Sequence, residues 1–90
     1  MKKVLITTAH RGVWYAEVSE EKDLTAETLT DLKNCRMAIR WGTTEGVQQL
    51  AATGPTSSSK ISAMSDIPVL HKVTAVMAVT DKAAEVWNKY

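Results

Sequence analysis

Two short runs of β-branched and apolar residues at the start of the chain limit what it can fold into. Residues 2–8 and 13–18 each have the composition of a strand, and only residues 9–12 separate them. Because strands joined by so short a connection pair antiparallel, the two runs predict a β-hairpin. Gly12 is expected to supply the positive φ that a tight turn needs. The turn would carry His10 and Arg11.

Three later segments also have strand patterns. Residues 27–32 alternate and predict a third strand, which a turn at Lys33 and Asn34 would end. The next run alternates from Cys35 to Trp41, with Cys35, Met37, Ile39 and Trp41 on a core side and Arg36, Ala38 and Arg40 on a basic side. Residues 73–80 are apolar in both phases, which is typical of a strand buried on both faces. That strand is expected at the centre of the sheet.

Two segments change to helical spacing. Residues 44–53 predict a helix that Thr43 or Thr44 caps and that Gly54 and Pro55 end. A terminal helix is expected after Thr80 or Asp81, packed through Ala83, Val86, Trp87 and Tyr90. The predicted fold is therefore a single α+β domain over residues 1–90, with a small, mostly antiparallel sheet of four to five strands and two short helices.

Length and charge restrict the classes of function. A 90-residue chain with 44% hydrophobic residues can build one core, but its stability is thin, so we expect it to form a homo-oligomer. Eleven basic and ten acidic residues give a net charge of +1, so attraction for an anion must come from a local patch. One cysteine excludes an internal disulfide, and no apolar run is long enough for a membrane span. These features predict a cytoplasmic protein that does not use a membrane.

The segment from Cys35 to Ser62 gathers cationic, aromatic and hydroxyl side chains. Guanidinium and ammonium groups pair with phosphate, aromatic rings stack on bases, and hydroxyls bond phosphate oxygens. Arg36 and Arg40 would lie on one face of a strand, roughly 13 Å apart. We therefore predict a ligand-binding set, to which a neighbouring subunit could add the last two residues: Arg36, Arg40, Trp41, Ser58, Ser59, Lys60, His10 and Arg11.

Each of these features also has a plainer interpretation. Residues 54–60 fail the phosphate-binding loop pattern, because Ser59 replaces its second glycine and Ile61 its magnesium-binding hydroxyl. The serine-rich loop could be merely solvated, and the two arginines could simply protect an edge strand. Cys35 has the phase of a buried apolar residue rather than of a nucleophile. With two widely separated histidines, no metal site, cofactor or catalytic set is predicted, and we expect a protein that is not an enzyme.

The three tryptophans anchor a core or an interface. Trp14 and Tyr15 are adjacent, so one of them should face away from the core and be available for stacking or subunit contact. Trp41 and Trp87 are both expected in the core.

The run from Arg36 to Gly42, the helical segment that ends at Gly54, and residues 59–62 resemble a family of small phage and prophage proteins of unknown function. Thr7-Thr8 and Gly12-Val13 match the opening strand and turn of that family. The resemblance covers most of the chain and implies an accessory factor that binds a host protein, binds nucleic acid, or sequesters a nucleotide signal of host defence. It implies no catalytic residues.

Three hypotheses about function follow. The first is a non-catalytic protein that captures a small anionic, nucleotide-like ligand in the host-cell cytoplasm. The second is an inhibitor that presents a strand edge and exposed aromatics, Trp14 or Tyr15, to a host enzyme. The third is sequence-tolerant binding of single-stranded nucleic acid through residues 36–41, which the near-neutral net charge disfavours.

Overall fold

A computed structural model describes residues 1–43 and 45–90. Its elements are β1 (Lys2–Thr8), β2 (Val13–Val18), β3 (Leu29–Arg40), α1 (Gln48–Ala52), β4 (Lys60–Ile61), β5 (Ser65–Leu70), β6 (Val73–Ala78) and α2 (Asp81–Trp87). The strands pair antiparallel in the order β4-β3-β2-β1-β6, and β5 pairs with the first half of β3. The prediction of four to five strands is wrong, because this part of the chain has six; the mostly antiparallel sheet with two short helices remains α+β in kind.

Strand β3 is continuous where the sequence predicted a strand, a turn and another strand. Asp31 and Asn34 have positive φ values of 56° and 52°, and the pairing of β3 shifts register along its length. These irregularities bend the strand, because an extra residue in a ladder kinks and twists it. Buried residues in its first half therefore recur every third position, at Leu29, Leu32 and Cys35, instead of every second. The bend lets one strand take part in both layers of the fold.

The sheet packs a core on each face. Helices α1 and α2 cover one face, where the fully buried residues include Leu5, Tyr15, Leu50 and Trp87. The first half of β3 covers the other face, where Ile6 and Val18 meet Leu29, Leu32 and Cys35. Because both faces are covered, Tyr15 is buried in the first core and Trp14 packs, half-buried, against the second. The expectation that one of these two aromatics would face solvent is wrong.

Strand β6 lies at one edge of the sheet, beside β1 only. The predicted central position of β6 is therefore wrong. The predicted burial on both faces is wrong as well, because three of its six residues are exposed, namely Thr74, Ala75 and Ala78. Its apolar composition therefore does not reflect burial on both faces.

The helices are close to their predicted positions. Helix α1 is shorter than expected, and Gly54 follows it with φ +88°, as is common for a residue that ends a helix. Of its two predicted caps, Thr44 lies outside the described residues, and the prediction of Thr43 is wrong, because α1 begins at Gln48 and Val47 precedes it without a side-chain cap. The Thr80 hydroxyl caps α2 by accepting a bond from the Ala83 N–H at 3.1 Å. Ala83 and Trp87 are buried as predicted, whereas Tyr90 is exposed. No helix among residues 1–43 and 45–90 is long and apolar enough to cross a membrane.

Candidate functional site

Basic side chains lie at one end of the sheet, on strand ends and on the turns that join strands. The order and direction of the strands place the ends of β1 and β3 beside the starts of β2, β4 and β6, as the pairs Thr7 with Val13 and Thr8 with Val73 show. We call the exposed basic residues at these strand ends the basic end: His10, Arg11, Arg40, Lys60 and Lys72. Five of the chain's basic groups thus lie along the same end of the sheet, although its net charge is only +1.

Arg40 and Lys60 lie at the β4 side of the basic end. They are directly opposed in the β3–β4 pair, where like charges destabilise the pairing. Neither forms an ion pair with any residue the structure describes. At the opposite end of the sheet, the amino terminus lies 3.6 Å from Glu20 and Lys33 lies 3.7 Å from Asp66. Both ion pairs found among the described residues thus lie at the opposite end of the sheet, and neither lies at the basic end.

The serine-rich loop is fastened to Gly42 at the end of β3. The Gly42 carbonyl accepts bonds from the Thr56 hydroxyl at 2.6 Å and the Ser58 hydroxyl at 3.4 Å, and its N–H donates to Ser59 Oγ at 3.4 Å. A Cβ on residue 42 would lie 2.6 Å from Ser58 Oγ, so a larger residue there would displace the Ser58 hydroxyl. The predicted Ser58 and Ser59 are thus beside Arg40 and Lys60, but their hydroxyls hold the loop in place.

Trp41 follows Arg40 and stands at the same edge. Its side chain is 37% exposed, so the prediction that it lies in the core is wrong. An exposed ring beside two unpaired cations can stack on a flat group whose charge those cations bind. This adds an aromatic surface to the basic end.

The β1–β2 turn places His10 and Arg11 at the same end of the sheet. These two residues hold the positive φ values, 68° and 66°, while Gly12 has φ −68°, so the role predicted for Gly12 is wrong. Gly12 is needed for space instead, because a Cβ there would overlap the Thr8 hydroxyl and approach the Trp14 indole at 2.9 Å. The Ala9 N–H donates to the Lys72 carbonyl at 2.9 Å, which joins this turn to the one before β6.

Lys72 is the one member of the basic end that the sequence did not predict. Lys72 lies immediately before β6. Its position near the β1–β2 turn could be recognised only from the pairing of β6 with β1, which the sequence did not predict.

Arg36 does not belong to the basic end. It is only 7% exposed, on the face covered by the helices, so the predicted basic side shared with Arg40 is wrong. Its Nη1 donates to the Ser62 carbonyl at 3.3 Å, and its Nε has no partner in the part of the chain that is described. The other residues of the predicted core side are half-buried or exposed, namely Met37, Ile39 and Trp41. Both faces of β3 contribute to a core instead, with Cys35 in one and Ala38 in the other.

A polar cluster lies near Arg36, beside the core of the helix-covered face. Tyr15 is opposite Arg36 in the ladder, and its hydroxyl donates to Glu17 at 2.7 Å. Burial and this bond raise the pKa of Tyr15. Burial alone would raise the pKa of Glu17, but bonds from Tyr15 and Asn34 outweigh it and lower that pKa. These groups bind one another and have a structural role.

Sequence comparison adds a family to this geometry. Residues 1–87 match a domain of unknown function, DUF6948. The chain belongs to the DUF6948 family. No curated protein and no solved structure shows significant similarity to it.

Cys35 is a buried residue of the second core, as predicted, and is 1% exposed. Burial raises the pKa of its thiol to about 11. At pH 8 the reactive thiolate is then about a thousandth of the population, so we expect the folded protein to react with a thiol reagent at least about 100-fold more slowly than the unfolded protein. Stopped-flow labelling with and without denaturant measures this ratio. Equal rates would show that Cys35 is accessible and reactive.

Proposed function

We propose that this DUF6948 protein binds a small anionic, nucleotide-like ligand at the basic end without transforming it. The observation that supports the proposal most is the opposed, unpaired pair of Arg40 and Lys60. A bound phosphate would remove the repulsion between them, and charge-assisted bonds to phosphate are among the stronger ones in proteins. Arg11 and Lys72 extend the positive surface along the same end of the sheet.

Trp41 makes a nucleotide a better candidate than an inorganic anion. Trp41 follows Arg40 directly in the chain and is 37% exposed, so one ligand could place a phosphate between the cations and a base on the ring. Sequestration of such a ligand requires affinity and no turnover. On this proposal the protein is a non-catalytic phage accessory factor that removes a nucleotide signal of host defence in the host cytoplasm, as the resemblance to phage proteins implies.

A thermal-shift screen tests the proposal. The probes are mononucleotides, cyclic dinucleotides and ADP-ribose derivatives, with inorganic phosphate as the control for charge alone. A ligand present at about 100 times its dissociation constant adds about 2.7 kcal/mol to the free energy of unfolding, which should raise the melting temperature by roughly 10 °C in a domain of this size.

Variants then locate the site. Arg40→Gln combined with Lys60→Gln should weaken binding at least about 100-fold, because two charge-assisted bonds of about 1.5–3 kcal/mol each are lost. Lys33→Gln combined with Lys82→Gln removes the same charge from exposed residues away from the basic end and should leave affinity unchanged. Equal losses in both double variants would reduce the effect to net charge and contradict the proposed site.

The alternative functions give different results in the same experiments. Binding of single-stranded nucleic acid predicts a shift with an oligonucleotide that falls steeply with salt. An inhibitor of a host enzyme predicts no shift with any probe. The aromatic residues predicted to contact a host enzyme are not free on the surface, because Tyr15 is buried and Trp14 packs against a core.

A further inference from the structure

A β-bulge lies where β3 pairs with β4. From the pair Ala38–Ile61 to the pair Arg40–Lys60, β3 advances by two residues and β4 by one. Ile39 is therefore the extra residue of β3. An extra residue changes the direction of the side chains that follow it, and bulges are common beside functional sites for this reason.

The bulge places three side chains on the same face of the sheet. Ala38 is buried in the core of the helix-covered face, and Ile61 packs against that core. Because successive residues of a strand point to opposite faces, Ile39 and Lys60 point away from the helices. Arg40 is directly opposite Lys60 and therefore shares its face. Without the bulge, strict alternation would place Arg40 on the helix-covered face with Ala38.

An apolar strip on this face leads to the two cations. Met37 is half-buried there, since it lies opposite Trp14, which packs against the second core. Ile39 follows two residues later and is 53% exposed, more than any other large apolar side chain in the described strands. Strand β5 pairs with β3 only as far as Cys35, so it ends before Ile39. The strip is therefore open to a ligand at Ile39.

We propose that Ile39 is a specificity residue that contacts the base of a nucleoside phosphate while Arg40 and Lys60 bind its phosphate. The inference rests on the proposed function and narrows its ligand class, because a sugar phosphate or an inorganic anion has little apolar surface to cover Ile39. A flat group suits the strip, since its side chains project from the surface of one sheet. The base then lies on the face of the sheet opposite the helices.

A methyl spectrum of the wild-type protein with isotope-labelled isoleucine tests the contact without a substitution. The chain has isoleucine at 6, 39, 61 and 67, so three of the four are internal controls. The ring current of adenine should shift the Ile39 methyl resonances when ADP is added, and those of the fully buried Ile6 should stay in place. Pyrophosphate supplies charge without a base and should leave Ile39 unshifted. Equal shifts of Ile39 with both probes would overturn the proposal.

Calorimetric titration of variants gives a second test. Ile39→Ser should weaken ADP binding about fivefold, because the exposed half of an isoleucine side chain is no longer covered by the base. It should change pyrophosphate binding by less than about twofold, and Ile39→Leu should keep the wild-type affinity for ADP. Val69→Ser is the matched control: it removes an aliphatic side chain of similar exposure, 46%, from β5 and should change neither affinity.

The outcomes separate this inference from the proposed function. If ADP binding requires Arg40 and Lys60 but is as tight in Ile39→Ser as in the wild-type protein, Ile39 is not a contact and the proposed function stands. If the wild-type protein binds neither ADP nor pyrophosphate, the proposed function fails and the inference fails with it.

Discussion

Replacing Trp87 by alanine is expected to lower the free energy of unfolding by about 3–5 kcal/mol. Trp87 is fully buried and stacks on Tyr15, with ring centroids 5.4 Å apart and planes 17° from parallel. Its Nε1 donates to the Leu50 carbonyl at 3.0 Å, so it ties α2 to α1 as well as to the sheet. A domain of this size has about 5–13 kcal/mol in total, so the variant should lose at least about a quarter of its stability. Urea denaturation followed by circular dichroism measures the loss.

Trp41→Ala is the control for this prediction. It removes the same side chain from a position that is 37% exposed, so less buried surface is lost and the free energy of unfolding should fall by about 2 kcal/mol or less. Trp87→Phe keeps a ring against Tyr15 but leaves the Leu50 carbonyl without its bond, so an intermediate loss is expected. Equal stability of Trp87→Ala and Trp41→Ala would contradict the described packing of α2.

Replacing Arg36 by methionine is expected to raise the free energy of unfolding, by about 1–4 kcal/mol. Arg36 is a buried cation with no carboxylate partner in the described part of the chain, and its Nε donates to nothing there. Methionine fills a similar volume without the cost of desolvating a charge. The one hydrogen bond that Arg36 makes with the described residues, from Nη1 to the Ser62 carbonyl at 3.3 Å, is too weak to offset that cost. Chemical denaturation of the two proteins side by side gives the difference.

The control for Arg36 is Arg40→Met. Arg40 is exposed, so its substitution should change stability by no more than about 0.5 kcal/mol. The two variants should differ in ligand binding. Arg36→Met should keep the affinity of the wild-type protein, and Arg40→Met should lose it. A loss of stability in Arg36→Met would show that the guanidinium stabilises the fold through contacts beyond the Ser62 bond.

The local parts of the fold could be predicted from the sequence. The first hairpin follows from two β-branched runs and a four-residue connection, and α2 follows from Thr80 and a run of helix formers. In both cases neighbours in sequence are neighbours in space. The burial of Trp87 follows as well, because it lies in the apolar stripe of that helix.

The bend of β3 could not be predicted in this way. Alternation assumes a regular pleat, and the positive φ at Asp31 and Asn34 changes which residues share a face. Once β3 bends over the sheet, both faces are buried, and the distinction between a core side and a solvent side no longer holds. The errors at Arg36, Ile39 and Trp41 all have this cause.

Part of the candidate site was predictable because it lies on two segments rich in basic and hydroxyl residues. Arg40, Trp41, Ser58, Ser59 and Lys60 are brought together by the β3–β4 pair and the bonds to Gly42. His10 and Arg11 were predicted as turn residues, but their place beside β3 depends on the order of strands. Lys72 depends on the β1–β6 pair, which joins residues far apart in sequence.

The most direct test of the basic end is a ¹⁵N–¹H correlation spectrum of the wild-type protein titrated with ADP, which carries two phosphates and one flat base. We predict that the largest shifts occur at the amides of Arg11, Arg40, Gly42 and Lys60 and at the Trp41 indole, and that resonances of α2 stay in place. Saturable shifts confined to other surfaces, or no shifts at millimolar ADP, would contradict nucleotide binding at this end of the sheet.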